Sequence, residues 1–107
     1  MNLSAFGEIY ICQFPFTSGT LGKPRPALVL FDLGEDTLIC RITSVLRTGL
    51  LDVQINDWSS VGLAKPSVAR LDRVVTAEKS CLGRKLGCLS ERDRMNVREA
   101  WNRYMRL

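Results

Sequence analysis

Short apolar segments separated by turn residues run through the chain as far as residue 89 and predict a small β-sheet. Residues 27–31 (ALVLF) are apolar on both faces, so we interpret them as a buried central strand rather than an amphipathic helix. Residues 7–14 and 37–42 predict two more strands. Residues 51–55 alternate apolar and polar side chains, which is typical of a half-buried strand.

The segment 65–72 (KPSVARLD) places charged residues within an apolar stretch. If it is extended, its two-residue period puts Val68, Arg70 and Asp72 on one face, so that a guanidinium and a carboxylate stand side by side. The alternative is an ordinary surface ion pair of little energetic value. Three short elements are predicted to follow. Residues 73–76 continue or restart the strand, residues 78–81 form a helical turn, and residues 84–88 form a last short strand.

The segment 90–106 has helical periodicity. Ser90 is expected to cap this helix, and Asp93 three residues later completes the form of a capping box. The helix is expected to run to about Arg106. Apolar side chains recur every three or four residues and predict the face that packs on the sheet: Val97, Ala100, Trp101 and Tyr104. Four arginines lie mainly on other faces: Arg92, Arg94, Arg98 and Arg103.

Together these elements predict a mainly β fold, a small curled antiparallel barrel or sandwich with a C-terminal helix. At 107 residues the chain is expected to form a single domain, 1–107, and its composition of 46% hydrophobic and 24% charged residues is ordinary for a globular protein. No apolar run approaches the roughly 20 residues of a membrane helix, and residues 1–6 lack a signal-peptide pattern. We therefore expect no membrane association and a cytoplasmic location.

The charge is distributed unevenly along the chain. Residues 1–64 have a net charge of −2 and residues 65–107 a net charge of +6, which gives +4 in total. This asymmetry predicts a polyanion such as RNA or DNA, or an acidic protein, as a partner. The alternative is that the charges near the C-terminus are merely solvated.

Several kinds of chemistry are disfavoured by what the sequence lacks. There is no histidine, and the four cysteines form no CxxC pair, so a zinc site would need four thiolates from scattered positions. We therefore expect no metal and no cofactor. Phosphate-binding and dinucleotide-binding glycine motifs are also missing. Cys12 and Cys40 lie in apolar segments and are interpreted as small hydrophobic residues.

Arg25 lies on a stiff stretch of backbone just before the central strand. Pro24 and Pro26 flank it and favour extended geometry, so Arg25 is a candidate anion clamp, although it could also be a solvated residue closing a loop. The preceding residues 15–22 are rich in glycine and hydroxyl groups, and they predict either a loop that closes over a ligand or a plain hairpin connection. The hydroxyls of Thr43 and Ser44 fall where another strand opens into a loop.

Four of these pieces, in this order and spacing, resemble the MazF/PemK family of toxins from bacterial toxin–antitoxin systems. They are Gly7-Glu8-Ile9 with Phe14-Pro15-Phe16, Arg25-Pro26-Ala27-Leu28-Val29, Ile42-Thr43-Ser44, and Val68-Ala69-Arg70-Leu71-Asp72. The resemblance covers nearly the whole chain from residue 7. It implies an SH3-like barrel with added helices, a homodimer, metal-independent ribonuclease activity on single-stranded RNA, and inhibition by an acidic, partly disordered antitoxin.

The resemblance also assigns site residues. Arg25 matches the arginine of the family's Arg-Pro segment, Thr43 matches the hydroxyl at the strand end, and the pair Arg70 and Asp72 matches the Arg-x-Asp of the PemK branch. These four are the expected catalytic residues. Further RNA contacts are expected from Ser44, Thr17, Thr20 and Lys23. Family members often carry Glu-Gln or His-Glu-Gln before the Arg-Pro segment, whereas this chain has SGTLG at 18–22, which puts the loop contacts and the cleavage preference in question.

Cleavage of RNA through its own 2′-OH needs a base, stabilisation of the charge on the phosphorus centre and protonation of the leaving oxygen. Without histidine, Asp72 is the expected base. Arg25 and Arg70 are expected to clamp the scissile phosphate, and the hydroxyls of Thr43 and Ser44 to hydrogen-bond its non-bridging oxygens. Because an arginine is nearly always charged, Arg70 is expected to act chiefly as an electrostatic stabiliser, with leaving-group protonation assisted by Arg70 or by water.

Two alternatives from other functional classes stay open. The same barrel could be a binding module that holds RNA or an acidic protein without cleaving anything, and the departure in loop 18–22 favours this slightly. It could also be a topoisomerase poison like the CcdB gyrase inhibitors, which resemble this fold and would act through helix residues such as Trp101. The presence of Arg25 together with the Arg70 and Asp72 pair argues against the poison.

Overall fold

The structure, a computed structural model, describes residues 5–13 and 24–107. It consists of six strands followed by one α-helix, as the sequence predicts. The strands are β1 (Glu8–Cys12), β2 (Arg25–Asp32), β3 (Asp36–Thr43), β4 (Asp52–Ile55), β5 (Ser67–Glu78) and β6 (Leu82–Cys88), and the helix is α1 (Glu91–Tyr104). Short 3₁₀ turns lie at Trp58–Val61 and Lys79–Cys81. No helix of the described residues is long and apolar enough to cross a membrane.

All six strands belong to one antiparallel sheet with the order β4-β5-β3-β2-β1-β6. β2 is one of its two middle strands, which confirms the central position predicted for 27–31. β5 is a single strand of 12 residues, so the segment at 73–76 continues it rather than starting a new one. The order leaves β4 and β6 as the two edges.

The sheet curls so that its two edges approach each other. The 3₁₀ turn that follows β4 packs against β6, where a Cβ atom added to Gly87 would lie only 3.3 Å from the Cα atom and the carbonyl oxygen of Val61. A side chain at this position would be more crowded than most Cβ atoms in proteins, so glycine favours this close approach. The predicted mainly β, barrel-like fold with a C-terminal helix is therefore confirmed, although the strands do not close into a complete ring.

Both faces of the sheet are covered by apolar side chains. One face packs against α1 and the 3₁₀ turn, and its buried members include Ile9, Leu28, Cys40, Ile42, Leu71 and Val97. The other face carries a smaller cluster: Cys12, Ala27, Val29, Ile39 and Ala77. Burying each large aliphatic side chain contributes about 1.5–3 kcal/mol relative to leaving it exposed, so this burial provides the main driving force for the fold.

The start of α1 differs in one respect from the predicted capping box. The Ser90 hydroxyl accepts the Asp93 N–H at 3.2 Å, as expected. The carboxylate of Asp93, however, is fully buried and accepts the N–H groups of Asn56 at 2.9 Å and Asp57 at 2.8 Å. Asp is one methylene shorter than the Glu of a capping box, and here it joins the helix to the segment after β4.

The predicted packing face of the helix is correct except at its last member. Val97 is buried, and Ala100 and Trp101 are partly buried against the same core. Tyr104 is 41% exposed, because it occupies the final position of α1 at the end of the packed face. Its side chain instead lies beside Arg103, whose guanidinium carbon is 5.9 Å from the ring centre.

The four thiols divide into two classes. Cys12 and Cys40 are buried and free, which confirms their interpretation as small hydrophobic residues, while Cys81 and Cys88 are exposed and free. Burial, helped by the charge of Cys81, raises the pKa of the Cys12 thiol to about 11, and burial also raises the pKa of Cys40. Because the thiolate is the reactive form, the two buried thiols are protected both by access and by protonation.

We predict that a thiol reagent at pH 8 modifies two cysteines of the folded protein rapidly and the remaining two only after denaturation. The measurement is a time course, with and without denaturant, of the coloured leaving group that the reagent releases as each thiol reacts. A variant carrying Cys81→Ser and Cys88→Ser should show no rapid phase. Rapid reaction of more than two thiols in the native protein would contradict the assignment of Cys12 and Cys40 to the core.

We also predict that Asp93→Ala lowers the free energy of unfolding by about 2–3 kcal/mol, because two backbone amides lose a charged acceptor. Urea denaturation measures the loss. The matched control is Glu91→Ala, which removes an exposed acid from the same first turn and should cost less than about 0.5 kcal/mol. Equal losses in the two variants would mean that Asp93 acts only through the helix dipole.

Candidate active site

The strand register brings several of the predicted site residues to one face of the sheet. Residues directly opposite each other in neighbouring strands share a face, and Ala27 pairs with Arg41, Arg41 with Arg70, and Arg70 with Asp52. Positions two residues along a strand share that face as well. Arg25 on β2 and Thr43 on β3 therefore join this row. Three of the four predicted catalytic residues thus come from three different strands to one surface.

The fourth, Asp72, lies in a bulge of β5. Cys40 pairs with Val74 while the next residue, Arg41, pairs with Arg70, so residues 71–73 have no partner in β3. The N–H of Leu71 instead donates to the Leu51 carbonyl oxygen at 2.8 Å, on the β4 side. Bulges of this kind re-aim side chains and are frequent next to functional sites. Asp72 is consequently left on the open side of the strand.

Arg70 lies between two carboxylates of different character. Its Nε is 3.4 Å from Oδ1 of Asp52, and its Nη2 is 3.7 Å from Oδ2 of Asp72, which confirms that Arg70 and Asp72 stand side by side. The side chains of Arg70 and Asp52 are only 12% and 8% exposed, whereas that of Asp72 is 44% exposed. Asp52 also accepts the Gly49 N–H at 2.9 Å. Arg70 is therefore anchored on its buried side, while Asp72 remains accessible to a ligand.

Asp52 has no role in the sequence prediction, where it is only the polar position of a half-buried strand. Alternation along 51–55 correctly predicts that strand, but not which residue of β5 faces each of its members. The pairing of Asp52 with Arg70 follows from the register between β4 and β5, across 18 residues of chain. The only local feature that marks Asp52 is its acidic side chain at the start of a short strand.

Arg41 is the second residue that sequence reasoning does not identify. Its side chain is partly exposed, and its Nε is buried without a hydrogen-bond partner among the described residues. Burial lowers the pKa of the Arg41 guanidinium, and neighbouring positive charges lower it further. Those charges belong to Arg25, Arg70, Arg73 and Arg47, in decreasing order of effect. We call Arg41 and these four residues the arginine cluster.

The arginine cluster changes the interpretation of the charge distribution. Three of its five members come from residues 1–64, the part of the chain with a net charge of −2. The sum over that segment hides them because six acidic residues outnumber its four basic ones, and, among the ion pairs of the described residues, only Asp52 of those acids pairs with a member of the cluster. The one available signal for Arg41 is its place two residues before Thr43 on the same face of β3, within the otherwise apolar residues 38–42.

The hydroxyl residues have different surroundings. Thr43 is half-buried at the end of β3, and its Oγ1 accepts the N–H of Val45 at 3.1 Å, which leaves its own hydrogen free to be donated. Ser44 is exposed in the loop that follows. The predicted RNA-binding residues Thr17, Thr20 and Lys23 lie outside the described residues. Within 5–13 and 24–107, no three Cys, Asp or Glu side chains come together in a way that could hold a metal ion.

Comparison with known proteins bears on the identity of this site. The family model for "PemK-like, MazF-like toxin of type II toxin-antitoxin system" matches residues 5–105. The chain belongs to this family. The family that the sequence resemblance implies is therefore confirmed, and the described site lies wholly within the matched region of this PemK/MazF-like toxin.

Individual relatives agree with the family assignment. A Mycolicibacterium smegmatis protein named "Probable endoribonuclease MazF" is 32% identical over 84 residues, covering 74% of this chain and 77% of that protein. The solved structure of Mycobacterium tuberculosis toxin MazF-mt6 aligns with a TM-score of 0.75 and 26% identity, covering 92% of this chain and 96% of that one. A mycobacterial endoribonuclease solved with its cognate antitoxin shares the fold, with a TM-score of 0.77 at 20% identity over 95% of this chain and 94% of that one.

The different burial of the two carboxylates generates a prediction about stability. Asp52→Asn should lower the free energy of unfolding by about 1–2 kcal/mol, because Arg70 loses the partner that neutralises it on its buried side. Asp72→Asn should cost about 0.5 kcal/mol or less, because that pair is longer and more exposed. Chemical denaturation of both variants beside the wild type provides the comparison. A larger loss from Asp72→Asn would reverse our assignment of the anchoring residue.

Proposed function

We propose that this toxin is an endoribonuclease that cleaves single-stranded mRNA at the surface formed by Arg25, Thr43, Arg70 and Asp72, without a metal ion. The observation that carries the proposal is the accessible carboxylate of Asp72 beside the anchored guanidinium of Arg70, within a cluster of five arginines. A base next to fixed positive charge is the arrangement that 2′-OH attack on a phosphodiester requires. The endoribonuclease names of the relatives support the same activity.

In the proposed mechanism, Arg25 and Arg70 bind the non-bridging oxygens of the scissile phosphate, and the Thr43 hydroxyl donates to one of them. The Asp72 carboxylate accepts the proton of the adjacent 2′-OH. The 2′ oxygen forms a bond to phosphorus as the bond to the 5′ oxygen breaks, and water or Arg70 supplies the proton that the leaving oxygen takes up. The products are a 2′,3′-cyclic phosphate and a 5′-hydroxyl end.

Asp52 contributes to this mechanism without contacting RNA. It holds Nε of Arg70 while Nη2 lies beside the exposed carboxylate of Asp72. Electrostatic stabilisation works best when the charge is already in place before the transition state forms, since no energy is then spent on reorganisation. The pair therefore preorganises Arg70.

The partners proposed for this toxin follow from its charge and its family. An acidic antitoxin would neutralise the arginine cluster and block access to Asp72, and one of the structural neighbours was solved with its cognate antitoxin. We also propose that the protein is a homodimer and acts in the cytoplasm, where mRNA is available. Trp101, on which the topoisomerase-poison alternative depends, is partly buried against the core, which makes that alternative less favourable.

The test is incubation of the purified, antitoxin-free protein with a long single-stranded RNA in EDTA. We expect discrete cuts that leave 2′,3′-cyclic phosphate or 3′-phosphate ends. Asp72→Asn should reduce the cleavage rate about 100-fold or more, because the base is lost. Arg70→Ala should have an effect of similar size. Glu99→Gln, which removes an exposed acid from α1, is the matched control and should cleave at the wild-type rate.

The possible results separate the rival functions. If the folded wild type makes no cuts across varied RNAs but still binds them, the non-catalytic binding module is the better interpretation. If Asp72→Asn or Arg70→Ala cleaves as fast as the wild type, the residue roles proposed here are wrong even though the enzyme class is right. DNA double-strand breaks on expression, with transcripts intact, would instead indicate the topoisomerase poison.

A further inference from the structure

Arg41 occupies a position that is unfavourable for the folded protein alone. It lies directly opposite Arg70 in the pairing of β3 with β5. Like charges directly opposite each other in a sheet destabilise it, and a buried donor without a partner adds a further cost. Arg41 has both features, because its Nε is buried and unpartnered among the described residues. Such violations of the ordinary rules are expected mainly where a residue has a function.

The neighbouring Arg70 does not share this problem. Two carboxylates, Asp52 and Asp72, balance its charge. Within 5–13 and 24–107, no carboxylate lies within ion-pairing distance of Arg41. The titratable groups that act on it from β2, β5 and the loop after β3 are all arginines. The missing negative charge is therefore not supplied by this part of the protein.

Several cations elsewhere in the described structure do have a carboxylate partner. Lys79 lies 2.7 Å from Asp32, Lys85 lies 2.7 Å from Glu8, and Arg92 and Arg103 also have acidic partners. Three of these cations, Lys85, Arg92 and Arg103, are themselves 48–63% exposed, where a partner matters less. Arg41 combines a buried Nε with the lack of a carboxylate partner among the described residues, on the sheet face that also carries Arg70.

We infer that Arg41 is a phosphate-binding residue of the RNA site, and that a backbone phosphate of the bound strand supplies the negative charge that Arg41 lacks in the free protein. Its position between Arg25 on β2 and Arg70 on β5 places it on the path of a strand held by both. A guanidinium presents a planar fork of donors that fits two phosphate oxygens at once. The inference rests on the proposed function, since it concerns the same RNA-binding surface.

A phosphate ligand has a measurable signature. The logarithm of the binding constant falls linearly with the logarithm of the salt concentration. Each contact to a phosphate of a single strand makes the slope of that line steeper by about 0.7. Such contacts are independent of base sequence. A residue that affects binding only through packing would change affinity without changing that slope.

The experiment measures binding rather than cleavage. The probe is a mixed-sequence single-stranded oligonucleotide with 2′-deoxy sugars, which lacks the hydroxyl needed for cleavage, titrated at several salt concentrations. We expect Arg41→Gln to weaken binding about 5- to 10-fold at low salt and to make the salt slope shallower by about 0.7. Arg41→Lys should keep the wild-type slope, because it retains the charge. Arg103→Gln, an exposed and paired arginine on α1, should change neither quantity.

Thermal melting of the same variants checks that the fold is intact. We expect Arg41→Gln to melt at or above the wild-type temperature, since it removes repulsion from Arg70. Wild-type affinity and slope in Arg41→Gln would overturn the inference, as would equal losses in Arg41→Gln and Arg41→Lys with an unchanged slope. A wild-type protein that does not bind the probe would overturn it as well. A wild type that binds but never cleaves RNA would refute the proposed activity alone.

Discussion

The ion pair between Arg70 and Asp52 joins β5 to the edge strand β4 at the point where β5 bulges away from β3. Two charges this far from water lose hydration energy that their attraction roughly returns, so the net gain in stability is small. The main effect of the pair is orientation. A long, flexible guanidinium side chain is held from its buried side, and its far end lies beside Asp72. The geometry of the proposed catalytic pair therefore depends on a carboxylate outside the reaction.

Single strands carry both core and site residues on one face, so packing of the core also positions the site. On β3, Ile39 belongs to the smaller apolar cluster, and Arg41 follows two residues later on the same side. β2 repeats the arrangement, with Val29 and Ala27 in the cluster and Arg25 beyond them. Close packing of the apolar members fixes the twist and position of each strand, and thereby the direction in which the charged members leave it.

Local periodicity is sufficient to predict the strands, the helix and the neighbouring positions of Arg70 and Asp72, because each depends on residues close together in the chain. The roles of Asp52 and Arg41 depend on which strands pair and in what register, and a single sequence does not encode register in any short pattern. The same reason explains why no local pattern predicts the long-range contacts of the buried Asp93 carboxylate. It satisfies amides 36 and 37 residues away, whereas a capping box is a purely local motif.

The contacts of Asp93 couple the helix to the site in a way that concerns cooperativity. Asn56 and Asp57, whose amides it holds, follow directly after β4, the strand that carries Asp52. An opening of the first turn of α1 would release that segment and with it the edge strand that anchors Arg70. The N-terminus of α1, β4 and the bulge of β5 therefore belong to one cooperative unit. Local unfolding of the first turn of α1, which carries none of the proposed catalytic residues, would remove the support of Arg70 and so disorder the site.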